Sequence, residues 1–331
     1  MGRDSKGVLG GVNTMVASRF VPWHYSENQD RVRLTDISIE NGSQALTMAG
    51  LDWNVSKVCL AEYMPGWEGA EDYCLTLRSD KQAVLGAGMS MEYVTIQNTA
   101  CADLADAVIK AWPGACIESA GALYDPGKVV WVLVRLPDAT VRFGTDGSEM
   151  HERYVLISTS HNGTRALIVQ PTDVRVECMN TISIAWGRSK AEHTVRHTGS
   201  AEQYLAEARA ALSMTKATYD EMDHTIMRLL DTEMDDADFL VDFAPKIVGE
   251  RPDEEGRGLT NWEQRFDNLR GYWDADHNEA ITGTAWGAVS VVNELEMWGV
   301  KPRGQSVEAR QMGMLLRADY PLTRKALALV N

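Results

Sequence analysis

Cys178 closes the alternating run Val174-Arg175-Val176-Glu177-Cys178 and stands two residues before Asn180. A thiol, an imidazole that takes its proton and an amide that fixes the imidazole tautomer together make a Cys-His-Asn nucleophile. His161 ends a neighbouring candidate strand and could reach across a sheet to Cys178, with His197 as a further histidine. The plainer reading is a buried core cysteine before a helix cap. Asn180 and Thr181 then satisfy the free N–H groups of a helix begun by Ile182, and His161 bonds its own turn. The plainer reading is preferred, so no catalytic residue is expected and Cys178, His161, Asn180 and His197 are kept as the weak enzyme candidates.

Metal and nucleotide chemistry are poorly supported. His193 and His197 are four apart, the spacing of two zinc ligands on one helix face, but Thr194-Val195-Arg196 reads equally well as extended chain. The other ligands are unmarked, and no metal or cofactor is expected. There is no G-x-x-x-x-G-K-[ST], no third glycine after Gly86-Ala87-Gly88, no G-x-S-x-G and no H-E-x-x-H.

A row of cations offers a different chemistry. Arg135, Arg153, Arg165, Arg175 and Arg188 fall on candidate strands beside Trp131, Tyr154 and Trp186. A sheet face with arginines for phosphate and flat side chains for bases could track a single strand of nucleic acid. Solvated strand faces also alternate Arg with apolar residues, and that is the bland counterpart.

The 331 residues carry a formal net charge of −15, and residues 201–280 hold 20 acidic against 8 basic side chains. Residues 301–331 lean the other way, with six Lys or Arg against Glu308 and Asp319. Such acidity weighs against indiscriminate duplex binding while leaving room for a local groove. Asp231, Glu233, Asp235, Asp236 and Asp238, followed by Phe239, Leu240, Val241 and Phe243, could bind a basic host protein. A helix start whose charges suit the dipole is the simpler account of Asp235, Asp236 and Asp238. Five scattered cysteines argue for reduced thiols. No leader or apolar span is read, and the cytoplasm of a host cell is the expected location.

The elements that must position these residues fall into two parts. Alternating segments at Leu51 to Leu60, Tyr73 to Arg78, Leu85 to Gln97, Cys116 to Leu123, Val129 to Leu136, Tyr154 to Ser160, Thr164 to Gln170 and Val174 to Cys178 read as strands. Asn41 or Ser43 caps a short helix, and Thr99 to Trp112 has helical spacing. Asp125-Pro126-Gly127 marks a turn, and Asn162-Gly163 marks a two-residue hairpin. From Ser200 the period is helical, with capping boxes at Ser200/Gln203 and Thr260/Glu263 and helices over Asp236 to Val248, Thr260 to Tyr272, Gly283 to Trp298 and Val307 to Val330. The fold expected is α+β: an antiparallel β-sheet domain with flanking helices over 1–199, then a mainly α-helical C-terminal domain over 200–331.

Five segments carry a resemblance: Ala49-Gly50-Leu51-Asp52-Trp53-Asn54-Val55, Ser160-His161-Asn162-Gly163-Thr164, Val174 to Thr181, His197-Thr198 and Gly283-Thr284-Ala285-Trp286-Gly287. The chain resembles the phage/plasmid-like proteins of unknown function encoded by phages and prophages. Over residues 93–190, the order strand, helix, antiparallel strands, helix is similar at fold level to single-strand annealing proteins of the RecT and Red-beta type. That similarity implies ATP-independent pairing of single strands by an oligomer, in recombination or replication. The first expectation is therefore an intracellular single-stranded DNA or RNA binding protein that forms a homo-oligomer. The second is an interaction protein that modulates a host factor through its acidic helical part, and the third is an enzyme with the Cys/His/Asn site.

Overall fold

The computed structural model describes residues 39, 41–123, 126–143, 147, 149–164, 167–175, 193–195, 219–299, 314 and 320–331. Cys178, Asn180, Trp186, Arg188 and His197 lie outside them, as do Arg165 and the side chain of Arg175.

Helix α1 (Gly42–Met48) begins as expected at Asn41, whose side chain accepts from the Gln44 N–H at 2.9 Å. Strands β1 (Val55–Cys59), β2 (Tyr73–Arg78) and β3 (Ala83–Ser90) form an antiparallel three-stranded sheet in that order. Two register shifts between β2 and β3 absorb the glycine-rich stretch Gly86-Ala87-Gly88 as bulges. Helix α2 (Asn98–Ala111) buries Cys101, Ala102, Leu104, Ala105 and Val108 along one face. Its approach to α1 is close because Gly42 has no side chain: a Cβ there would lie 2.4 Å from the Ala102 carbonyl oxygen.

A five-stranded antiparallel sheet follows, β4 (Cys116–Leu123), β5 (Val129–Phe143), β6 (Glu149–Ser160), β7 (Leu167–Arg175) and β8 (His193–Val195), paired in chain order. The Pro126-Gly127 turn joins β4 to β5, with Gly127 at φ +111°. Two expectations change here. Strand β5 continues through Pro137 to Phe143, and β6 starts at Glu149, five residues before the alternation around Tyr154. The β6–β7 connection is also longer than two residues. Gly163 takes a positive φ of +73°, but the Asn162 side-chain Oδ1 accepts from the Thr164 N–H and hydroxyl, making a local Asx turn before β7 begins at Leu167.

The remaining elements are helical: α3 over residues 219–230, a π turn (Asp238–Phe243) running into α4 (Ala244–Val248), α5 (Arg257–Trp273), α6 (Ala285–Glu294) and α7 (Pro321–Val330). Thr284 caps α6, accepting from the Gly287 N–H at 3.0 Å. The Thr260/Glu263 capping box is not used. Helix α5 starts one turn earlier, and the Thr260 hydroxyl donates back to the Gly256 carbonyl.

Among the described residues the chain packs as two units, one of 39–138, 154–171 and 193–195, the other of 139–153, 172–175 and 219–331. Strands β5, β6 and β7 each pass from one unit into the other, so the helical unit also takes in strand ends. The second unit's core is built on Phe143, Ile226, Leu229, Phe239, Phe243, Leu269, Trp273, Trp286, Val289 and Val292.

Candidate functional site

In the first unit, two of the quoted segments meet. Asn98, the first residue of α2, is buried and donates its amide N–H groups to the carbonyls of Leu51 and Trp53 at 2.8 and 3.2 Å. With both donors used, its Oδ1 must accept, and His161 Nε2 supplies the proton at 2.8 Å. The His161 ring packs edge-on to Trp53 at 5.3 Å, and the Arg78 guanidinium lies 4.5 Å from the Trp53 ring centroid. Arg78 is fixed by Asp80 and by the Pro126 carbonyl. The Thr76 hydroxyl donates to the His161 carbonyl at 2.5 Å. His161 thus has an amide partner, Asn98, and its buried imidazole joins α2 to the strands.

The cation row fares differently from expectation in the residues described. Trp131 and Tyr154 are fully buried in the first unit, so their rings serve packing and present no face for a base. The cause is the sheet itself: β5 and β6 are interior strands covered by apolar neighbours. Arg135, 25% exposed, faces the buried carboxylate of Glu118 at 3.9 Å. Glu118 sits at a bulge, between the paired positions Ile117↔Val134 and Ser119↔Leu133, and the Tyr154 hydroxyl donates to it at 3.4 Å. In the second unit Arg153, 16% exposed, pairs with Asp223 and lies 4.7 Å over the Tyr219 ring. Burial pushes the Asp223 carboxyl up despite the pull of Arg153. Both arginines are engaged by carboxylates, Glu118 buried and Asp223 partly exposed.

Sequence reasoning missed a cluster in the second unit. Glu149, His151 and Arg153 are two apart on β6 and share one face. His151 Nε2 is 2.9 Å from Glu149 Oε1, and its Nδ1 is 3.0 Å from Asp173 Oδ1 on β7. Trp286 of α6 donates its indole N–H to the same Glu149 oxygen at 2.9 Å. Burial alone would push the imidazole down, but Asp173 and Glu149 outweigh it and raise His151 from 6.5 to about 9. His151 is thus an imidazolium donating to two carboxylates, with no exposed surface. It can bind strands and helix together, but nothing from solvent can reach it to be transformed. Its sequence signal is the i, i+2 pair Glu149 and His151 on a strand.

Of the histidine pair, only His193 lies among the described residues. His193 belongs to β8, whose residues pair with Leu167, Ile168 and Val169, so the helix-face spacing that zinc binding requires is absent at that end. Among the described residues no group of three or more His, Cys, Asp or Glu is arranged to hold a metal ion. Cys59, Cys74, Cys101 and Cys116 are free thiols, and burial pushes Cys101 up to about 12. No helix of the described residues is long and apolar enough to cross a membrane.

The acidic run is a surface. Asp231, Glu233, Asp235, Asp236, Asp238 and Asp242 are all exposed, and Val241 among them is 70% exposed. Two of the acids have structural duties: Asp235 caps the Asp238 N–H at 2.8 Å, and Asp236 accepts the Trp273 indole N–H at 2.8 Å. Phe239 and Phe243 point the other way and are buried, Phe239 stacked on Trp273 at 4.0 Å.

Neither a curated protein nor a solved structure matches the chain. Residues 87–313, more than half of it, match the family described as Domain of unknown function (DUF932), and the chain belongs to that family.

Proposed function

We propose that this protein works by binding a partner, and that the acidic face of residues 231–242 takes a cationic surface of a host protein inside a cell infected by a phage or carrying a prophage. The observation that carries the reading is that six carboxylates are exposed around Val241, in a stretch with no Lys or Arg between Arg228 and Lys246. A solvated apolar side chain in a stretch that carries one sign of charge suits a complementary partner. The test is capture from host lysate at physiological salt by the full chain and by the variant Asp231→Asn, Glu233→Gln, Asp238→Asn, Asp242→Asn. One protein retained by the wild type and lost by the variant supports the reading. Equal capture by both overturns it.

A second reading keeps single-stranded nucleic acid as the ligand of an oligomer, acting without ATP in recombination or replication. It is favoured by the order β3, α2, β4, β5, β6, a strand and helix followed by antiparallel strands, which resembles the RecT and Red-beta arrangement. Its cations are Arg165, Arg175 and Arg188, with Trp186 to stack. Binding and annealing of labelled complementary oligonucleotides, at low and physiological salt with light scattering on the same sample, decide it. Salt-sensitive binding by a large oligomer, flattened by Arg165→Ala with Arg175→Ala, supports this reading. No binding at either salt removes it.

A further inference from the structure

The loop between β1 and β2, together with the first residue of β2, exposes three large aromatic side chains. Tyr63 is 58% exposed, Trp67 67% and Tyr73 48%. Isolated apolar residues on a surface are ordinary, but three exposed aromatics within eleven residues, two in the loop and one where it enters β2, are an interaction signature. The loop is not a loose excursion. Its ends are the directly paired Cys59 and Cys74, and its backbone is a series of turns: Tyr63 and Met64 N–H to Leu60, Trp67 to Met64, Ala70 to Trp67 and Asp72 to Gly69. Gly66 and Gly69 supply the positive φ values, +84° and +81°, that let the turns follow one another. An Ω-shaped loop of this kind holds its aromatics in place before a partner arrives, which lowers the entropy lost on binding.

The charge around those rings selects the partner. Glu62, Glu68, Glu71 and Asp72 are all exposed, and no Lys or Arg occurs between Lys57 and Arg78. Carboxylates repel a phosphate backbone, so bases are poor candidates for these rings. Guanidinium groups gain twice, from the carboxylates and from stacking on aromatic faces. We propose that the loop Leu60–Tyr73 is a docking site for an arginine-rich segment of a partner protein. It belongs to the first unit and is independent of the acidic face of residues 231–242.

The test uses the full chain carrying Asp231→Asn, Glu233→Gln, Asp238→Asn and Asp242→Asn, so that failure here leaves the reading of that other face untouched. The probe is fluorescein-labelled hexa-arginine amide, followed by anisotropy at physiological salt. Saturable binding is expected, weakened about tenfold or more by Tyr63→Ala with Trp67→Ala, and to a similar degree by Glu62→Gln, Glu68→Gln and Glu71→Gln. All of these side chains are exposed, and unchanged circular dichroism and melting show that the fold is retained. The proposal is overturned if hexa-arginine does not bind or if its affinity is the same without Tyr63 and Trp67. It is also overturned if the aromatic variant instead loses binding of a labelled oligothymidylate, or loses a concentration-dependent dimer seen by light scattering.

Discussion

His151 Nδ1 lies 3.0 Å from Asp173 Oδ1, with both side chains removed from solvent. Two strands are joined there by a charged hydrogen bond, and Glu149 closes the other side of the ring. A buried cation between two carboxylates costs desolvation but leaves a large penalty if one member is removed. His151→Gln leaves two buried carboxylates without a cation and is expected to cost about 3–5 kcal/mol in urea unfolding.

The same pair sets a pH dependence. The folded pKa of His151 is raised from 6.5 to about 9, so its stabilisation is fully present below pH 6.5 and is lost as pH rises through 9. The loss is on the order of 3 kcal/mol. Wild-type urea midpoints should fall across that window while those of His151→Gln stay nearly flat. A flat wild-type profile would show that the imidazole is neutral throughout.

Trp131 is a core residue whose ring fills the space beside Gly121, where a Cβ would meet it at 2.8 Å. Trp131→Ala should therefore lower stability by about 3–5 kcal/mol. Any oligonucleotide affinity per folded molecule, measured by anisotropy below the melting range, should be unaltered. A folded variant with selectively lost affinity would restore Trp131 as a stacking residue.

Gly287 lies in the first turn of α6 where a Cβ would come within 2.2 Å of the Ile281 carbonyl oxygen, while at Gly271 in α5 it would meet nothing within 4 Å. Gly287→Ala forces backbone apart and should cost about 3 kcal/mol or more, in the range of overpacked sites. Gly271→Ala, exposed on a helix, should stabilise by about 0.5–1 kcal/mol through helix propensity. Thermal unfolding of the two variants should shift in opposite directions.

Cys59 and Cys74 are opposite one another on β1 and β2. Val55 turns its N–H and carbonyl outward to the Gln97 amide, each at 2.8 Å. By alternation, Cys59 then occupies a non-hydrogen-bonded position, where facing Cα atoms are about 4.5 Å apart and a disulfide can form. Diamide should take the two thiol hydrogens with their electrons and leave a Cys59–Cys74 disulfide, seen as a mass loss of about 2 Da in one peptide pair. Burial pushes the Cys74 thiol up, so the reaction should be faster at pH 8.5 than at pH 7. Oxidation of the Cys59→Ser variant at the same rate would point to another pair.

Local patterning was legible wherever a signal is short in range. The Asn41 cap, the Pro126-Gly127 turn, the antiparallel strands and the helices α3 to α6 follow from spacing and turn chemistry in the sequence alone, whereas the helix read over Val307 to Val330 does not run through: Tyr320 is non-helical and α7 begins at Pro321. So does the exposure of the acidic run, because six carboxylates within twelve residues cannot all be buried. What no local pattern contains is the partner of each polar group. His161 read as a turn residue with a distant cysteine as the weaker alternative, and only the packing of α2 against the strands delivered Asn98 to it, 63 positions away in sequence. Arg135 and Arg153 read as a ligand-facing row until a bulge turned Glu118 inward and α3 brought Asp223. Glu149 and Trp286 are 137 positions apart, and their bond forms because water is excluded where β6 meets α6, leaving each polar atom to find its partner within the protein. Tertiary structure decided which charges are interior and which stay exposed, since burial is a property of the whole packed unit and not of any segment within it.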